Sequence, residues 1–81
     1  MKPTGMKPLI YQRRAELARE QATQARALAE EAERKQRRIH FTDPEYDACA
    51  RVAQLYRQMS ETMFELAETF ETYSTSLQVP A

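Results

Sequence analysis

The stretch Arg37-Arg38-Ile39-His40-Phe41-Thr42-Asp43-Pro44-Glu45-Tyr46 decides the fold of this 81-residue chain. Thr42 and Glu45 make the T-x-x-E pattern of a helix N-terminal capping box, with Asp43 and Pro44 inside the first turn. Such a cap contributes about 1 kcal/mol. Acidic residues at that end also complement the helix dipole. The stretch therefore reads as a helix stop followed by a helix start.

Upstream, no Gly or Pro interrupts the chain between Tyr11 and Pro44, and Pro8 suits a first helical turn. Ala15, Ala18, Ala22, Ala25, Ala29 and Ala32 alternate spacings of three and four, with Tyr11 before them and Gln36 and Ile39 after them. That alternation is a heptad seam, here of small residues with high helix propensity. Downstream, Cys49, Val52, Tyr56, Met59, Met63, Leu66, Phe70, Tyr73 and Leu77 keep the same alternation. A helix of about thirty residues would run on the order of 45 Å.

These patterns predict an all-α fold, a long antiparallel two-helix hairpin of coiled-coil type. Its parts are an N-terminal flexible segment 1–8, helix 9–38, turn 39–44, helix 45–77 and tail 78–81. Alanines on the first seam against large side chains on the second are expected to interdigitate. Charge agrees with pairing: residues 1–40 hold ten Lys/Arg against five Glu, and residues 41–81 hold two Arg against seven acids. A hairpin centred on the turn brings Arg13, Arg14 and Arg19 beside Glu61, Glu65 and Glu68, and Glu30 and Glu31 near Arg51.

One seam does not use all the apolar residues. Tyr46, Ala50, Ala53, Phe64 and Ala67 form a second stripe on helix two, and Ile10, Leu17 and Leu28 lie off the alanine seam. A wider stripe asks for another helix. The expectation is a homodimer closing a four-helix bundle, or a dedicated protein partner. The packing and interface residues are then the six alanines together with Val52, Tyr56, Met59, Met63, Phe64, Leu66, Phe70 and Tyr73.

Residues 36–72 also resemble the ribbon-helix-helix family of DNA-binding regulators, through the run from Gln36 to Tyr46 and the apolar positions Cys49, Val52, Ala53, Met63, Phe64 and Ala67. The resemblance implies a short strand with Ile39 and Phe41 facing a dimer core and Gln36, Arg38 and His40 facing the major groove. It departs from that family at Tyr56-Arg57-Gln58-Met59, where a Gly-containing turn is usual and the heptads here continue. The size and the Asp43-Pro44 break are also similar to small helical-hairpin proteins of type III secretion, a likeness of architecture alone.

Few residues carry chemistry. His40 is the single histidine and has no Cys or His at metal-ligand spacing. Cys49, the single cysteine, falls on an apolar seam and reads as a small buried hydrophobe. No Gly-rich loop offers a phosphate cradle. The basic run Arg34, Lys35, Arg37 and Arg38, with His40 beyond it, suits a helix C-terminus and could meet an acidic protein surface or nucleic acid phosphates. The expectation is a non-enzymatic interaction protein, an adaptor, chaperone or regulator that pairs with itself and with another protein. It would use no cofactor and no metal. With no apolar run of signal-peptide or membrane-span length, it is expected in the cytoplasm and away from membranes. The alternative is a DNA-binding regulator using residues 34–40.

Overall fold

The computed structural model describes residues 6–78 of the chain. Two helices account for nearly all of them: α1, Met6–Arg37, and α2, Pro44–Gln78. They pack on each other along their length as an extended hairpin, 65 × 15 × 12 Å. The radius of gyration, 18.4 Å, compares with about 12 Å for a globular chain of this length. Tyr11 meets Phe70 and Tyr73, Ser60 meets Ala22, and Arg57 meets Glu33. Contacts that descend on one helix as they ascend on the other make the pair antiparallel.

Each helix follows from local chemistry. The alanines and the absence of Gly or Pro let α1 run uninterrupted, and Arg34, Lys35 and Arg37 meet the negative end of its dipole. It begins at Met6, so residues 6–8, which the sequence assigned to a flexible segment, are helical. Residues 1–5 of that segment and residues 79–81 of the expected tail lie outside the described residues. Within α2, Thr69 and Thr72 donate their hydroxyls to the carbonyls of Glu65 and Glu68, so these exposed side chains are held by their own helix.

The turn closes without a left-handed residue: no residue among those described has a positive φ. α1 tightens at its end, where the amides of Arg38 and Ile39 donate to the carbonyls of Lys35 and Gln36 at 3.0 and 3.1 Å. The cap of α2 differs from the sequence reading. Asp43, not Thr42, is the N-cap: its Oδ1 accepts from the amide of Glu45 at 2.9 Å, and Pro44 takes the first helical position. Thr42 instead bonds His40, whose Nδ1 lies 2.7 Å from the threonine hydroxyl and 3.2 Å from its amide. The reason is Pro44, which favours the first position so strongly that the cap must be the residue before it. Asp43→Ala should therefore cost about 1 kcal/mol in thermal unfolding, and Thr42→Ala close to nothing.

The strand implied by the ribbon-helix-helix likeness is not formed. Gln36 and Arg37 end α1, residues 38–43 are turn and bend, and no strand occurs among the described residues. α2 passes through Tyr56, Arg57, Gln58 and Met59 without a break. Nothing in that tetrapeptide opposes a helix, and its heptad contacts continue on either side.

The core is thin. Ala15, Ala18, Ala22, Ala25 and Ala29 of α1 are buried against Cys49, Ala53, Ser60, Ala67 and Ser74 of α2. No large side chain among the described residues is fully buried. Ser60 fits because its hydroxyl donates to the carbonyl of Ala22 at 2.9 Å, which satisfies the one polar group it brings. At the open end Tyr11 lies between Phe70, stacked at 5.9 Å, and Tyr73, edge-on at 5.7 Å. This aromatic clamp ties the start of α1 to the end of α2.

Candidate functional site

The inward row of α2 is Ala53, Ser60, Ala67 and Ser74, one small residue every seventh position, alternating with Cys49, Tyr56, Met63 and Phe70. The row immediately before it, Val52, Met59, Leu66 and Tyr73, points outward and is 39–52 % exposed. This reverses part of the sequence reading, which set that large row against the alanines and placed Ala53 and Ala67 on a second stripe. The physical cause is the size of α1's seam. A face of alanines allows the helix axes to approach to about 8 Å, and only small residues fit between them at that distance. Ser60 and Ser74 are absent from that reading because serine does not register in a hydrophobic pattern. The sevenfold spacing of small residues through 53, 60, 67 and 74 was the available signal.

The two edges of the hairpin differ as a result. One is fenced by charge. Arg19 meets Glu71 through Nη2–Oε1 at 2.6 Å and Nε–Oε2 at 3.0 Å, and Arg57 meets Glu33 with both contacts at 2.7 Å. These bidentate pairs differ from the partners expected from sequence: Arg19 takes Glu71 and none of Glu61, Glu65 and Glu68, and the cross-helix pair near the turn joins Glu33 to Arg57 where Glu30 and Glu31 were expected near Arg51. Basic α1 does face acidic α2 as foreseen; the Ser60–Ala22 and Tyr11–Phe70 contacts keep a register centred near the turn, and the long arginine side chains reach carboxylates further along it. Between these pairs the same edge carries Arg26 and the half-buried Phe64.

Hydrogen bonds from the guanidinium groups hold the Glu33 and Glu71 carboxyls below their ordinary value, and partial desolvation opposes the effect. The same contacts raise Arg19 and Arg57. A carboxylate with a lowered folded-state pKa contributes stability that is fully present above its unfolded value, near 4.5, and is lost as pH falls through the lowered one. In low salt, the melting temperature should fall as pH drops below about 4.5, and the Glu33→Gln/Glu71→Gln variant should show a shallower fall. Equal slopes in an acid titration followed by circular dichroism would remove these pairs from the account.

The other edge is apolar and largely uncovered within the chain, although Tyr73 at its far end meets Tyr11 of α1 edge-on. Besides Val52, Met59, Leu66 and Tyr73 it presents Leu55 and Leu77, also about half exposed. Val52, Leu55, Tyr56 and Met59 line a shallow apolar concavity near the turn. From α1 this edge receives Arg14, Gln21, Leu28 and Lys35, of which Leu28 alone is apolar. Leu17 is exposed beside it. Of the interface residues read from the sequence, then, Ala15, Ala18, Ala22, Ala25 and Ala29 are buried in the hairpin and Ala32 is half-buried. Tyr56, Met63, Phe64 and Phe70 are half-buried, and Val52, Met59, Leu66 and Tyr73 face outward.

Arg34, Lys35, Arg37, Arg38 and His40 are all exposed around the turn, where His40 stacks on the 71 % exposed Phe41 at 4.7 Å. Cys49 is buried with a free thiol. No group of acidic, histidine or cysteine side chains among the described residues could hold a metal ion, and no helix there is long and apolar enough to cross a membrane. Comparisons with protein-family models, curated proteins and solved structures returned no match for this chain.

Proposed function

We propose that this chain is a non-enzymatic helical-hairpin interaction protein, an adaptor, chaperone or regulator, whose working surface is the apolar edge of α2. The carrying observation is the outward row Val52, Met59, Leu66 and Tyr73, continuous over three heptads on a rod that buries almost nothing larger than alanine elsewhere. Together with the exposed leucines beside it, that row makes a contiguous apolar stripe, unlike the singly scattered apolar residues of an ordinary monomer surface. Such a stripe on so thin a monomer is a cost in water unless it is covered. Self-association into a four-helix bundle covers it and supplies the core that the hairpin lacks. In this reading the contacts are the activity, and no cofactor takes part.

The exposed basic turn lies beyond the apolar edge and is free to meet an acidic protein surface while that edge is occupied. The test is the oligomeric state of a variant with the edge made acidic, Met59→Glu/Leu66→Glu. A wild-type chain that sediments as a monomer at tens of micromolar, with or without the substitutions, would refute self-association.

A further inference from the structure

We infer that the occupant of the apolar edge is α2 of a second copy, running antiparallel, with the two-fold axis passing between Met63 and Leu66. This rests on the self-association just proposed and adds to it which helix pairs, in which direction and in which register.

Three observations carry it. The first is the spacing of the large residues. Along the outward side of α2 they recur at alternating intervals of four and three from Val52 to Leu77. In an antiparallel pair each layer joins the two kinds of core position. One register then fills every layer: Val52 meets the partner's Leu77, Tyr56 the partner's Tyr73, Met59 the partner's Phe70, and Met63 the partner's Leu66. No layer is left with a small or charged residue. The second is the flank of that register on the solvent side. There Thr62 falls opposite the partner's Thr69, and Leu55 opposite the partner's Ser76, so no like charges meet. The opposite flank is already occupied by α1. The third is the poverty of α1 on this edge, where Arg14, Gln21 and Lys35 leave Leu28 as its one apolar member. α1 therefore stays outside, and the two α2 helices form the centre of the assembly.

Direction has a consequence for the basic turn. From the two-fold axis to Pro44 is some twenty residues, so the two turns stand at opposite ends, on the order of 60 Å apart. Each cluster of Arg34, Lys35, Arg37 and Arg38 then acts singly.

Cysteine pairing tests the register in the full chain. With Cys49→Ala as background, the single variants Val52→Cys and Leu77→Cys are made, oxidised separately and mixed, and the covalent dimer is followed on a non-reducing gel. Sedimentation gives the mass in parallel. The expected result is a mass twice the 9.5 kDa of one chain, with the covalent dimer forming about a hundredfold faster in the mixture than in either variant alone. In this register the two copies of position 52 lie about 37 Å apart along the axis, well beyond disulfide reach. A dimer by mass in which Val52→Cys alone crosslinks efficiently means parallel helices and overturns the inference while leaving self-association standing. A dimer with no preferential crosslink in any sample places the interface on another face and also overturns it. A monomer by mass overturns both.

Discussion

Ala22→Leu is expected to destabilise the hairpin by about 2–4 kcal/mol, enough to abolish cooperative unfolding in so small a chain. Ala22 is fully buried, and its carbonyl accepts the hydroxyl of Ser60 at 2.9 Å. Three added carbons have no cavity to enter and would force the axes apart. Separation would strip Ala18 and Ala25 of their neighbours on α2 and leave Ser60 without its acceptor, itself worth about 1 kcal/mol. Leucine and alanine are both good helix formers, so the loss would come from packing and not from propensity. Ala27→Leu, at an exposed position of the same helix, is the control and should melt within a degree or two of wild type. A cooperative melt of Ala22→Leu at the wild-type temperature would mean that the alanine seam does not face α2.

The Met59→Glu/Leu66→Glu variant is expected to weaken self-association by at least a factor of about a thousand while leaving the hairpin helical. Each buried side chain of this size contributes about 1.5–3 kcal/mol, and every 1.4 kcal/mol is a tenfold change in dissociation constant. Carboxylates facing an apolar partner surface add a desolvation cost. Both residues are some 40 % exposed in the single hairpin and stand clear of the small-residue seam, so the monomer should tolerate the change. Met63, half-buried at the junction of the two faces, would confound the two effects and is a poorer probe. The readout is mass by sedimentation beside helical content by circular dichroism, with Gln58→Glu/Thr72→Glu on the solvent face as control. Retained association in the doubly substituted chain would move the interface elsewhere.

α2 carries two faces that the amino-acid pattern leaves overlapping. Cys49, Tyr56, Met63 and Phe70 belong to both heptad stripes, and the choice is whether each is joined by the residue three or four positions on. Taken by hydrophobicity, the large row through Val52, Met59, Leu66 and Tyr73 wins. The packed structure turns α2 by about 60° from that reading and seats Ala53, Ser60, Ala67 and Ser74 inside. The ion pairs differ from the expected ones because long arginine side chains reach partners that one-dimensional register does not locate. The cap moved by one residue because Pro44 claims the first helical position.

Two long helices, a break read at residues 39–44, an alanine face on the first helix and opposite charges that favour pairing were all legible in the amino-acid pattern. Those features depend on local propensity and on period, which neighbouring residues carry in full. The turn at Arg38–Asp43 could be read as hinge or strand from its residues alone. The tertiary structure made it a hinge, since α1 and α2 pack along their whole length and leave that segment only the reversal. Which face of α2 lies inside was settled by packing. Two closely approaching helices select for small volume and not for hydrophobicity, so the most apolar row was left on the surface. Its exposure, a product of alanine's size, is what offers the chain a surface for a partner.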